Sequence, residues 1–282
     1  MHAELALDAR ASLGEAALWH DGRLLWVDID AGTVNRFDPT RGTPESWSLG
    51  QMVGTVVPRA CGGFIVGAQR GVGVFDPLTA QFKILADPAG GRPEMRCNDG
   101  KCDPRGRLFV GTIGIRKPRP PGALYRVDPD LRVTCVVEGT GTANGLAWSL
   151  DRRTMYFIDT PTRAVSAFDY DEATGRISGR REVVRFGDDE PGRPDGMTVD
   201  EAGRLWVALY EGGAVVCCDP ATGAIVERIQ VPASRTTSCA FGGADLGDLF
   251  VTTGLHPDEP GSGGLFVARP GVRGVPAFAF AG

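Results

Sequence analysis

Apolar residues recur at alternate positions along most of the chain, in short runs broken by polar turns. Six stretches share one form: a turn, then a run of β type. They are "HDGRLLWVDI" (20–29), "ACGGFIVGAQ" (60–69), "DPRGRLFVGT" (103–112), "LDRRTMYFID" (150–159), "DEAGRLWVAL" (200–209) and "ADLGDLFVTT" (244–253). A period of two places alternate side chains on one face of a strand. No segment keeps apolar residues at i, i+3, i+4 and i+7 for three turns, so long helices are not expected.

The anchors of these runs are Trp26, Ile65, Phe109, Tyr156, Trp206 and Phe250, spaced 39 to 50 residues apart. A four-stranded propeller blade takes roughly 40–50 residues. A second strand pattern follows each first one: "GTVNRFDPTRG", "GVGVFDPLTA", "GALYRVDPDL", "RAVSAFDYDEATG", "GAVVCCDPATG" and "GGLFVARPG". Most close on an Asp-Pro or similar turn, in which Pro fixes φ and Asp bonds the backbone beyond it. Further strands such as "AIVERIQVP" complete the unit. The pattern predicts an all-β fold: one six-bladed β-propeller over residues 1–282, with four-stranded blades around a central channel. A β-sandwich would not repeat internally, and a solenoid repeat is shorter. A ring of blades needs a terminal strand to close its last edge. "ELALDARA" (4–11) is preferred for that role over "VPAFAFAG" (275–282).

Composition agrees with this picture. Glycine supplies 40 of 282 residues and proline 20, against a usual glycine share of roughly 7 %. Many tight turns follow. The net charge of −5 and the lack of any basic patch beyond Arg116-Lys117-Pro118-Arg119 argue against a nucleic-acid partner. The first residues do not read as an export signal, and no apolar run approaches the ~20 residues of a membrane helix. Seven cysteines, odd in number and without CxxC pairs, are expected to be reduced thiols in the cytoplasm.

Counting back from the anchors finds the chemistry. Eleven residues before Trp26, Phe109 and Trp206 lie Glu15, Asn98 and Asp195; twelve before Tyr156, whose turn is one residue longer, lies Asn144. The other two blades give Gly54 and Cys239. The innermost strands of a propeller line its channel, so equivalent positions form a ring at one mouth. Asn-Gly and Asp-Gly are ordinary turn dipeptides, but four oxygen-bearing side chains at one radial position form a set. Two carboxylates and two amides crowded together require a positive partner. All-oxygen ligands suit Ca²⁺, Mg²⁺ or Mn²⁺, and Zn²⁺ also accepts carboxylates. The three histidines, His2, His20 and His256, form no ligand motif, and no G-x-S-x-G elbow occurs.

"GEAALWH", "RCNDGKCDPRGRLFVGT", "ANGLAWSLDRRTMYFID", "FDYDEATGRISGRR", "RPDGMTVDEAGRLWVALYEGGAV" and "TTSCAFGG" closely resemble the regucalcin (senescence marker protein)/gluconolactonase family. The likeness runs from about residue 12 to the C-terminus. It implies a six-bladed propeller holding one divalent metal ion and hydrolysing small-molecule sugar lactones, such as gluconolactone. It further implies metal ligation by Glu15, Asn144 and Asp195, substrate contact by Arg96 and Asn98, and an acid/base role for Asp195. Asp99 is a candidate anchor behind these groups. One segment departs from the family: "IGIRKPRPPGALY" (113–125) is shorter and Pro-rich, with Arg116 roughly where animal members carry a lid carboxylate. A phosphotriesterase of related fold, or a calcium-binding propeller without turnover, is the alternative.

Overall fold

Backbone pairing in the computed structural model, which describes all 282 residues, sorts the strands into six antiparallel sheets of four. Five sheets use consecutive strands, so each blade is an up-and-down meander. Their inner strands are Gly14–His20, Val53–Pro58, Met95–Cys102, Ala143–Trp148 and Arg193–Val199; that of the sixth blade is Thr236–Gly242. The sixth blade takes its outermost strand from the other end of the chain: Glu4–Leu7 pairs antiparallel with Leu265–Ala268. This closure by the N-terminal segment is the one expected from the sequence. Apart from one short 3-10 turn at Thr160–Thr162, the chain contains no helix.

The C-terminal "VPAFAFAG" has a different task. It forms no blade strand but crosses the end of the ring remote from the polar ring positions. Phe280 donates to the Pro58 carbonyl and accepts from Ala60 N–H, both at 2.8 Å, and Ala281 N–H donates to Gly106 O at 3.0 Å. The Phe280 ring is buried in a core shared by the first three blades with Leu25, Val56, Ile65 and Val110. Burying one such side chain is worth about 1.5–3 kcal/mol, so the strap ties separated blades together.

Two aspartate devices recur because the repeat recurs. In "DPRGR" and "DEAGR" the side chains of Asp103 and Asp200 accept backbone N–H bonds from the turn, at Arg105 and Arg107 and at Ala202 and Arg204. At the opposite ends of the blades, Asp28 accepts from Ser12 and Leu13 N–H, and Asp159 from Gly141 and Thr142 N–H. The loop entering an inner strand is thereby fixed just ahead of Glu15 and Asn144.

All six inner strands also slip register by one residue near their entry: between Glu15 and Leu18, Val53 and Thr55, Cys97 and Gly100, Ala143 and Leu146, Pro194 and Met197, and Thr236 and Ser238. A bulge bends the strand and re-aims side chains that would otherwise alternate. In the sixth blade the slip falls at Thr237, whose hydroxyl donates to the Gly14 carbonyl beside Glu15. Cys239, selected by counting, lies two residues further on, opposite Val251 in the core. Gly54 is equally constrained. A Cβ there would come within 2.3 Å of the Cys97 carbonyl oxygen and 2.7 Å of that of Asn98. The second blade thus gives the channel no side chain at this level.

Candidate functional site

The entry bulges bring Glu15, Asn98, Asn144 and Asp195 to one end of the channel, all buried. Asn98 and Asn144 meet directly: Asn98 Nδ2 donates to Asn144 Oδ1 at 2.6 Å and to the Ala143 carbonyl at 2.8 Å. Asn144 Nδ2 donates to Thr160 Oγ1 at 2.8 Å, and Thr160 Oγ1 to the Pro194 carbonyl at 2.8 Å. On the other side, Arg96 Nη1 donates to Asn98 Oδ1 at 2.6 Å and to the Cys97 carbonyl at 2.9 Å. A hydrogen-bonded chain therefore runs from Arg96 through both amides to the strand that carries Asp195. It fixes which end of each amide faces which neighbour.

The carboxylates are less well satisfied. One oxygen of Glu15 accepts the Ala16 N–H at 3.0 Å. Asp195 Oδ1 is buried with no hydrogen-bond partner. Burial above all, and the nearby Asp99 next, push Glu15 up to about 8. Burial, Glu15 and Asp99 together raise Asp195 well above the usual carboxylate range. Asp99 is raised by burial too, opposed by the Lys101 ammonium and a bond from Gly100 N–H. Arg96 is lowered to about 10 by burial, against the pull of Glu15 and Asp30, so it remains a cation at neutral pH.

An unpartnered buried carboxylate oxygen and three mutually repelling acids fit a small hard cation. Glu15, Asp195 and the Asn144 carboxamide could hold it. No group of three His, Cys, Asp or Glu side chains converges as a ligand cluster. Two carboxylates and an amide leave room for water or substrate, as a catalytic centre needs. Asp99, one residue beyond Asn98, lies near both acids, but its own carboxyl is turned to Gly100.

Arg116 lies exposed on the loop between strands Leu108–Gly114 and Gly122–Val127. The loop's charge that reaches the site is that of Arg119, which opposes protonation of Arg96. Counting along first strands also missed the groups at the ends of second strands. Asp30 follows the second strand of blade one and attracts Arg96; Thr160 follows that of blade four and holds Asn144; Tyr210 ends that of blade five and feels both Asp195 and Glu15. The same offset arithmetic, applied to the ends of second strands, would have found them.

A six-bladed propeller with an acidic, amide-lined channel mouth defines a class, and sequence comparison gives its family. Residues 13–255 match the model of the SMP-30/gluconolactonase/LRE-like region, and the chain belongs to that family. Zebrafish (Danio rerio) regucalcin is 38 % identical over 99 % of this chain and 98 % of its own. The Bacillus subtilis protein YvrE, whose name marks it as a candidate sugar lactone lactonase, is 36 % identical over 100 % of this chain and 99 % of its own. Among solved structures, a calcium-binding regucalcin from Agrobacterium tumefaciens superposes with a TM-score of 0.92 at 25 % identity, covering 99 % of this chain and 97 % of that one. No helix is long and apolar enough to cross a membrane, and none of the seven cysteines is in a disulfide.

Proposed function

We propose that the protein is a divalent-metal-dependent lactonase that opens sugar lactones such as gluconolactone to the corresponding acids. The observation that carries this reading is the buried, unpartnered Asp195 Oδ1 facing the raised carboxyl of Glu15. Family membership and the name of the B. subtilis relative support the substrate class. Calcium, zinc, manganese and magnesium all suit the donor set, and calcium has the added support of the A. tumefaciens relative. The seven unpaired cysteines favour a reducing compartment such as the cytoplasm.

When bound by Glu15, Asn144 and Asp195, the cation would supply Lewis acidity toward a lactone carbonyl and its oxyanion. The chain's own groups do the rest. Asp195, held ionised by the cation, would take a proton from the attacking water and return it to the ring oxygen as the C–O bond breaks. Arg96, charged and half-buried at the mouth, binds lactone hydroxyls through the donors that Asn98 and Cys97 leave free. Asn98 has both amide protons committed to protein acceptors. Its contact with substrate would therefore be through the remaining lone pair of Oδ1.

The test is gluconolactone hydrolysis, followed by acid release, before and after chelation and after each of the four cations is restored. Loss on chelation and recovery with at least one cation is expected. Full activity in thoroughly chelated protein would remove the metal from the reaction, and no acid release with any lactone or cation would remove the activity.

A further inference from the structure

The far end of the channel holds a second cavity, of about 630 Å³, within the range of roughly 300–1,000 Å³ common for small-molecule sites. None of Glu15, Asn98, Asn144 and Asp195 lines it. Its walls are mainly apolar: Leu18, Trp148, Val199 and Phe241 from four inner strands, and Pro276 and Phe278 from the C-terminal strap. Thr198 and Ser149 add hydroxyls to the lining, and one cation enters it from within. Lys101, on the inner strand of blade three, reaches this cavity from within the channel, where its Nζ donates to the Met197 carbonyl at 2.7 Å. An ammonium carries three donors, so two remain for a guest. The other charged groups sit at the solvent edge: Asp21 beside His20, and Arg152, whose guanidinium lies 5.8 Å from the Phe278 ring centroid. Arg152 is already paired with Glu172 at 3.1 Å, and Lys101, drawn by the buried Asp99 carboxyl on the channel side but in no ion pair with it, is the cation that faces the cavity's interior.

We propose that this cavity binds an apolar monocarboxylate, such as a medium-chain fatty acid, its carboxylate on Lys101 Nζ and its chain beneath the C-terminal strap. An ammonium in apolar surroundings is costly unless it is paired and hydrogen-bonded, and a carboxylate accepts both remaining donors in a charge-assisted pair. The mainly apolar walls favour a hydrocarbon body over a sugar. The site is separate from the lactonase reading and does not depend on it.

Calorimetric titration of the full-length protein with hexanoate, octanoate and decanoate, with decan-1-ol as neutral control, tests the assignment. Affinity should rise about three- to fourfold per added methylene, the factor that ~0.8 kcal/mol implies. Decanol should bind at least tenfold more weakly than decanoate. Lys101→Met should weaken decanoate at least tenfold. So should Ala277→Trp, which narrows the cavity from an exposed strap position and so decides the matter even if the lysine variant does not fold. No binding of decanoate at millimolar concentration would overturn the proposal, as would equal affinity for decanol. So would decanoate binding that survives Ala277→Trp but disappears on chelation, since the acid would then sit at the metal end.

Discussion

Asn98 donates its amide to Asn144 Oδ1 at 2.6 Å across the seam between the third and fourth blades. The bond joins a residue beside Arg96 to one proposed as a cation ligand, so the proposed substrate and metal ends share one hydrogen-bonded chain. Asn98→Ala breaks that chain at its centre. Partners that orient a metal ligand typically contribute 10–100-fold in affinity or activity. We expect a loss of that size in both cation affinity and kcat/KM, measured by calorimetry and lactone hydrolysis. An unchanged cation affinity would show that Asn144 needs no such support.

Thr160 holds the other end of Asn144. Thr160→Val removes the acceptor that keeps Nδ2 turned away from the channel, while Thr160→Ser retains it. A drop of about tenfold in cation affinity for valine, with recovery for serine, is the expected outcome. Equal losses in the two variants would point to lost methyl packing.

Arg96 donates to Asn98 Oδ1 and Cys97 O and carries its charge at neutral pH. It cannot ligate a cation, so Arg96→Ala should raise KM or lower kcat by tenfold or more, about 1.4 kcal/mol or more, with cation stoichiometry intact. Release of the metal in this variant would move Arg96 from substrate binding to support of the centre.

The propeller and its ring of site residues were legible in the sequence because both follow from repetition. Period-two runs gave the strands, anchor spacing gave the blades, and a fixed offset found Glu15, Asn98, Asn144 and Asp195 at one channel mouth. The offset failed at Cys239 because the turn between the first two strands of the sixth blade is longer: Phe250 pairs with Ala240, ten residues back, where Phe109 and Trp206 pair with Lys101 and Thr198, eight back, so the equivalent residue is Thr237. Thr160, Tyr210 and Asp30 were missed for a different reason: each lies four residues beyond its anchor, at or just past the end of a second strand, and only first strands were counted. The strap was likewise invisible, because "VPAFAFAG" alternates like a strand and only the distant partners Pro58, Ala60 and Gly106 decide its course.

Without a cation, Glu15 should make stability depend on pH. Its carboxyl is raised from 4.5 to about 8 in the folded chain, so folding favours the protonated form. That contribution is fully present below about pH 4.5 and is lost as pH rises through about 8; at ~1.36 kcal/mol per unit it amounts to at most ~5 kcal/mol. Denaturant unfolding of chelated protein should show falling stability across this window, flattened in Glu15→Gln. Cation binding at pH 6 should release protons, and at pH 9 far fewer. Identical slopes for both chains would remove Glu15 from the coupled acids.

Away from the site, Asp103 accepts from Arg107 Nε at 2.6 Å and from the Tyr170 hydroxyl at 2.7 Å, joining blade three to blade four. Asp103→Ala leaves the buried Arg107 guanidinium unpaired and should cost about 3–5 kcal/mol, against about 1–2 kcal/mol for Tyr170→Phe. Lactonase activity per folded molecule should be unchanged. Equal costs would mean that the tyrosine carries the link.

The central claim is that Glu15, Asn144 and Asp195 together hold one divalent cation. Calorimetric titration of chelated protein with calcium, zinc, manganese and magnesium tests it most directly. The wild type is expected to bind one equivalent of at least one of these cations, and Asp195→Asn to bind none at the same concentrations while retaining its β-sheet circular dichroism. One full equivalent bound by folded Asp195→Asn with wild-type affinity would place the metal elsewhere and contradict the account.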